Sequence, residues 1–232
     1  GETAKARYGT NGAVTAPLVI RFPYGGGVSG GLYHSQNVEV PFFHTPGLKV
    51  LAPTTPYDAK GLLKSAIRDD NPIVFLEHKK GYRLVRGEVP DEEYLLPIGP
   101  ADTKRSGEHV TIVTYGLVLH YCLEAASNLE TNDVSVEVID LPTLRPLDTA
   151  TIIDSVKKTG KLLIVHEDNL TGGIGAEIAA VVAHEAFEFL DGPIMRLCGP
   201  DVPTMPFAKT LEDAYLPTTD KIANAIQKLA AY

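Results

Sequence analysis

The feature that most constrains this chain is an alternation of two kinds of segment. Short continuous apolar runs recur along it, and each gives way to a stretch whose apolar residues fall three and four apart. In the second half the reading runs strand 110–114, helix 117–129, strand 134–139 and helix 149–158, the last capped by Asp148 and stopped by Gly160. Strand 162–165, helix 174–190, strand 194–197 and a closing helix from Thr219 complete it. Apolar runs without internal alternation belong to strands covered on both faces, and strands separated by helices pair in parallel. The expectation is an α/β fold with a mostly parallel sheet and helices on its faces.

The first half has the same grammar around one unusual loop. A strand over 16–20 opens into RFPYGGGVSGGLYHSQ, with five glycines among the seven residues from Gly25 to Gly31 and the polar cluster Tyr33-His34-Ser35-Gln36 behind them. So much glycine marks a backbone that takes positive φ or lets something come close. A strand follows at 48–51. Thr55 then supplies an N-cap, with Pro56 at the first helical position and Asp58 in the first turn. Ala59, Leu62, Leu63, Ala66 and Ile67 form one helical stripe, and Asp69-Asp70-Asn71-Pro72 ends that helix. A strand over 73–76 is next. Periodicity lapses between Gly87 and Gly107, which reads as a linker. The division is therefore 1–88, a linker at 89–107, and 108–232. Residues 1–8 read as the tail of a helix with earlier turns upstream, since neither an initiator Met nor a capping residue precedes them.

The net charge of −8 argues against nucleic acid and against an anionic membrane surface, both of which require clustered Lys and Arg. No apolar run approaches the roughly 20 residues that a bilayer span needs. Cys122 and Cys198 stand in apolar contexts without metal spacing, as expected of thiols in a reducing compartment.

Three places carry candidate chemistry. His34, at the end of the glycine loop, is a candidate proton donor, weighed evenly against an inert surface histidine. At the helix end, Asp69 and Asn71 sit beside carbonyls without helical partners, an oxygen-rich setting for a hard cation. An ordinary helix stop is the stronger reading of those residues alone. Thr171-Gly172-Gly173-Ile174-Gly175 before a helix suggests anion binding by backbone N–H groups, but tight helix packing explains the glycines at least as well. The preceding His166-Glu167-Asp168 lies where a parallel sheet tends to present function, or forms a polar contact.

Together, GGLYHSQ, HTPGLKVLAPTTPYDAKGLLKSAIRDDNPIVFLEHKKGYR, VIDLPTLRPLD and HEDNLTGGIGAEIA resemble the beta subunit of the thiamine-diphosphate-dependent 2-oxo acid dehydrogenases. The resemblance covers the whole chain, and LYHSQ is closer to the branched-chain (2-oxoisovalerate) member than to the pyruvate member. It implies the C-terminal half of a pyrimidine-binding domain followed by a transketolase C-terminal-like domain. It further implies a heterotetramer of two alpha and two beta subunits with thiamine diphosphate and magnesium shared between alpha and beta. The family's active-site histidine falls on His34, implicated in passing the acyl group to the lipoyl arm of the acyltransferase. Its structural potassium takes ligands that map to Ala16, Leu18, Val19, Ala66, Asp69 and Asn71. This turns the Asp69 cluster from a helix stop into a site. The glutamate that contacts the cofactor's aminopyrimidine lies upstream of Gly1, so no cofactor-contacting residue is expected here and the stretch by itself is expected to be inactive. The implied partners are the alpha subunit, a second beta subunit, and the lipoyl and subunit-binding domains of the acyltransferase core. Three alternatives remain: a pyruvate dehydrogenase beta subunit, an inactive fragment serving as an assembly and binding module, and another transketolase-like enzyme. A bacterial cytoplasm is the first expectation for its location and a mitochondrial matrix the second.

Overall fold

The computed structural model describes residues 1–130 and 134–232. In chain order the elements are α1 (Glu2–Gly9), β1 (Val19–Tyr24), α2 (Gly31–His34), α3 (Glu39–Phe43), β2 (Lys49–Leu51), α4 (Pro56–Ile67), β3 (Ile73–His78) and α5 (Gly81–Leu84). Then come β4 (Asp102–Arg105), β5 (Val110–Thr114), α6 (Val118–Leu129), β6 (Val136–Asp140), β7 (Thr143–Arg145) and α7 (Thr149–Thr159). The chain continues through β8 (Leu162–Asn169), α8 (Ile174–Glu185), a 3₁₀ turn (Phe187–Phe189), β9 (Met195–Gly199), α9 (Lys209–Tyr215) and α10 (Thr219–Ala230).

Two sheets result, in the order β1-β3-β2-β7 and β4-β6-β5-β8-β9. Pairing is parallel except at β7 and β4, the two antiparallel edges. Helix ends follow local chemistry. Thr55 Oγ1 accepts from the Asp58 N–H at 3.1 Å while the Asp58 carboxylate accepts from the Thr55 N–H at 3.2 Å, a complete capping box at the start of α4. Asp148 caps α7 by accepting from the Thr151 N–H at 3.1 Å, and Gly160 closes that helix at φ +69°.

Three of the foreseen segments differ from the sequence expectation in kind or extent, and β7 was not foreseen at all. The strand foreseen at 16–20 lies at Val19–Tyr24 and runs through Pro23, which an edge strand tolerates because its missing N–H costs no ladder bond. The stretch 89–107 is not a bare linker. Its residues Asp102–Arg105 form β4, an edge strand too short and polar to show alternation, and Leu96 and Ile98 pack beside Leu62 and Phe75. The helix foreseen to 190 ends at Glu185 and passes into the 3₁₀ turn.

One core joins the two halves. Tyr24, Val50 and Leu76 of the first sheet pack in the same buried cluster as Val113, Ile139 and Ile164 of the second. Strand β7, although it follows β6 in sequence, pairs with β2 of the first sheet, with Val50 opposite Arg145. On the other face of the second sheet α10 buries Ile222, Ile226 and Leu229 completely against α6 and the strands. Each such side chain contributes roughly 1.5–3 kcal/mol of burial. No helix among the described residues is long and apolar enough to cross a membrane.

Candidate functional site

The glycine loop begins where β1 ends, beside the end of β3. Gly25 takes φ +89°, and a Cβ built there would stand 2.3 Å from Nε2 of His78. A side chain at Gly26 would meet the Met205 methyl at 2.6 Å. The groups that approach this backbone are the protein's own side chains, which is why glycine is required.

Carboxylates from the second half hold the loop. Glu167, near the end of β8, accepts from the Gly26 N–H and receives Nε2 of His78 at 2.9 Å. Glu212, on α9 and 2% exposed, accepts from the Gly27 N–H at 2.8 Å and from the Ser29 N–H at 3.1 Å, with the Ser29 hydroxyl at 3.3 Å from its second oxygen. Burial pushes the Glu167 carboxyl up, but the His78 ring and the Gly26 N–H outweigh it, leaving the group below the ordinary carboxylate range. Two further buried acids lie next to this pair. Glu39 on α3 accepts from the Tyr115 hydroxyl at 2.7 Å, and burial together with the charge of Asp168 raises its pKa to about 8. Asp168 is raised as well, by burial first and the Glu167 charge last.

Where the loop ends, the surroundings change. His34 closes α2 and is exposed, and its ring makes no hydrogen bond among the described residues. Its backbone is anchored: Lys79 Nζ donates to the His34 carbonyl, and Gln36 Nε2 donates to the Leu32 carbonyl at 2.8 Å. Tyr33 beside it is 84% exposed, so the imidazole projects from an anchored backbone into open space. A cavity of about 530 Å³ is lined by Arg21, Glu77, His78 and Tyr82 among others. A second, of about 630 Å³, lies between Asn37, Asp168, Gly172 and Asp201. His34 lines neither.

The six residues mapped to a cation are drawn together by β1 and the end of α4. The Ala16 N–H donates to the Asp70 carbonyl at 2.9 Å, and Val19 lies opposite Ile73 in the ladder. The Ala16 carbonyl accepts from the Leu18 N–H at 2.8 Å, the Leu18 carbonyl from the Ile73 N–H at 2.8 Å and the Ala66 carbonyl from the Asp69 N–H at 3.2 Å. The Asp69 carboxylate accepts from the Asn71 N–H and side-chain amide, both at 2.8 Å, and pairs with the Lys49 ammonium. Burial raises its pKa, and Lys49 and Asn71 more than offset this, so it lies below the ordinary range. A monovalent positive charge thus already stands beside Asp69, in the form of Lys49.

At the second glycine stretch, the Thr171 N–H and hydroxyl donate to Asp201 at 2.9 and 2.6 Å, and the Gly175 N–H donates to His166 Nε2 at 3.2 Å. Those donors are engaged by the protein, in keeping with the packing alternative. His166 is fully buried, stacks on Tyr115 and lies 3.2 Å from the Cys198 sulfur; burial lowers its pKa to about 4. Both cysteines are free thiols, each pushed up to about 12, chiefly by burial.

Residues 2–85 match the family described as transketolase, pyrimidine binding domain, and residues 99–222 match transketolase, C-terminal domain. The chain is 51% identical over 231 residues to the 2-oxoisovalerate dehydrogenase subunit beta of Bacillus subtilis (strain 168), covering 100% of this chain and 71% of that one. It belongs to the 2-oxo acid dehydrogenase beta subunits. The pyruvate dehydrogenase E1 component subunit beta of the same organism is 44% identical, again over 100% of this chain and 71% of the relative. Among solved structures, a split-gene transketolase described as an inactive beta4 tetramer shares the fold, with a TM-score of 0.74 and 23% identity over 98% of this chain and 74% of that one.

Within this beta subunit, sequence reasoning singled out His34 and Glu167 but passed over His78, Glu39, Tyr115 and Glu212. An acid set among apolar residues, as in Val38-Glu39-Val40, was the one available signal for a buried carboxylate. Glu212 had no such signal, because α9 is a short helix without a clear stripe.

Proposed function

We propose that this chain supplies the acyl-transfer face of a branched-chain 2-oxo acid dehydrogenase, with His34 as the acid or hydrogen-bond donor when the acyl group passes to lipoamide. The observation that carries the reading is the combination at His34: an anchored backbone, an exposed ring and no competing partner. A group that must meet an incoming lipoyl arm has to be reachable and yet fixed in direction. The branched-chain substrate is favoured by 51% identity to the 2-oxoisovalerate subunit against 44% to the pyruvate subunit.

Thiamine diphosphate, when bound, supplies the carbanion-stabilising chemistry of decarboxylation. The glycine loop does not fit its diphosphate, since Glu167 and Glu212 already occupy the Gly26, Gly27 and Ser29 N–H groups and place negative charge there. The diphosphate and magnesium are therefore assigned to the alpha subunit, in a heterotetramer of two alpha and two beta chains. The stretch described here is expected to show no turnover without its partner. Potassium is proposed at Ala16, Leu18, Val19, Ala66, Asp69 and Asn71, with Lys49 giving way to the ion. The division into 1–88, 89–107 and 108–232 is retained, with β4 inside the middle segment. Both free thiols suit a reducing compartment, and a bacterial cytoplasm is the proposed one.

The test is His34→Ala in the assembled enzyme. Reductive acylation of the lipoyl domain should fall by about 10²–10⁴-fold, the usual worth of one acid-base group. Decarboxylation, followed with an artificial electron acceptor, should lose at least tenfold less. Equal losses in both half-reactions would remove His34 from acyl transfer. A binding-module reading draws on the net charge of −8, which suits a basic partner. Calorimetric titration of this chain with the acyltransferase subunit-binding domain tests it: tight binding without activity is its signature.

A further inference from the structure

The loop that presents His34 is held at its start by a residue from the far end of the chain. Glu212 is separated from Gly27 by 185 positions, yet its two oxygens take the backbone N–H groups of Gly27 and Ser29 and the hydroxyl of Ser29. It forms no salt bridge among the described residues, and its side-chain hydrogen bonds there all come from the loop. A carboxylate 2% exposed and in no ion pair among the described residues is an expensive group to bury, although the Lys209 charge one turn earlier on α9 lies within electrostatic reach. Serving a packing role alone, a neutral side chain of similar volume would cost less. Ser29, held at φ +53°, is one of two non-glycine residues with positive φ among those described, so the chain is kept in an uncommon conformation at the point where Glu212 grips it. Two residues further on, α2 begins, and His34 is its last residue.

We propose that Glu212 is a positioning residue for acyl transfer: by clamping Gly27 and Ser29 it fixes where α2 starts and hence where the His34 imidazole points. Lys79 holds the other end of the same segment through the His34 carbonyl, so the imidazole is aimed by one charged anchor before it and one at its own backbone. Neither anchor hydrogen-bonds the imidazole itself. A displacement of about 1 Å in a group that must meet a reacting atom can cost on the order of 100-fold in rate. The clamp rests on the reading of His34 as the acyl-transfer residue, and the experiment separates the two claims.

In the assembled enzyme, Glu212→Ala should slow reductive acylation of the lipoyl domain by about 10- to 100-fold. Dye-linked decarboxylation should change several-fold less. Glu212→Gln retains one carbonyl oxygen for the Gly27 and Ser29 N–H groups, so it should recover most of the loss; it also serves if the alanine variant does not fold. The deciding comparison is the double variant. Because Glu212 acts through the imidazole, Glu212→Ala added to His34→Ala should slow acylation no further. A full additive loss, or equal slowing of both half-reactions by Glu212→Ala, overturns the clamp. Selective loss in His34→Ala with normal acylation in Glu212→Ala overturns the clamp while leaving the role of His34 in place. Equal losses from His34→Ala in the two half-reactions remove that role itself.

Discussion

Two imidazoles flank one loop and live in opposite environments. His78 is 8% exposed, pressed against Gly25, edge-on to Tyr24 at 5.2 Å and tied to Glu167. His34, at the other end, is exposed and without a ring partner among the described residues. The same glycine-rich sequence does two jobs. Its first part strips away side chains so that buried groups can close over it, and its last part is the base from which an exposed imidazole projects. Glycine abundance marks close approach, but it does not say whether a ligand or the protein itself is approaching.

The comparison predicts that disturbing the His78 end costs stability and disturbing the His34 end costs chemistry. The largest stability effect should come from Glu167→Ala. It leaves His78 and the Gly26 N–H buried without their acceptor, and breaking such a pair costs about 3–5 kcal/mol; urea unfolding of the subunit measures it. Gly25→Ala comes next, at about 2–3 kcal/mol. It combines a positive φ with a Cβ driven into His78, and overpacking alone is worth about 1–3 kcal/mol. A loss below about 0.5 kcal/mol, the range of ordinary surface changes, would mean the loop can shift away and the close approach is not obligatory.

Glu39→Gln should act through pH. The folded-state pKa of Glu39 is raised from 4.5 to about 8, so the folded state binds the proton more tightly. The stability this gives is present below the unfolded value and lost as pH rises through the folded one. The glutamine variant should therefore gain on the wild type as pH rises from 4.5 to about 8, the window set by those values. His166 works with the opposite sign. Its folded pKa is lowered from 6.5 to about 4, so its contribution is lost as pH falls through that range. Unfolding midpoints that keep a constant gap between Glu39→Gln and wild type across pH would show Glu39 ionised or solvated. The smallest effect belongs to His34→Ala, whose unfolding free energy should stay within about 0.5 kcal/mol of wild type even if acylation falls as proposed. A larger loss would place His34 with His78 as a structural residue and dissolve the contrast.

Much of the fold could be read directly because its signals are local. The capping box at Thr55, the Asp148 cap and the Gly160 stop are short-range chemistry, and strand Val110–Thr114 lay where its apolar run put it. Strands β4 and β7 could not be read so. Each is short, lies on a sheet edge and owes its existence to a partner far away in sequence, Ile139 for Thr103 and Leu51 for Thr143. The site divides the same way. His34 was legible because an imidazole at the end of a glycine loop is a local pattern. Glu212 was not, because its role consists of hydrogen bonds to residues 185 and 183 positions away.

The sequence by itself determined the α/β class, the placement of most helices and strands, the family and the candidate imidazole, all of which follow from periodicity, caps and motif wording within a few dozen residues. Only the tertiary structure decided that Glu167 and Glu212 from the second half close over the glycine loop, that the two halves share a core, and that His78 is enclosed while His34 is free. The reason is physical. Burial and hydrogen-bond partnership depend on which segments meet, and apart from the apolar flanks of Glu39 these carboxylates and imidazoles carry no local mark of whether the chain will fold over them or leave them in water.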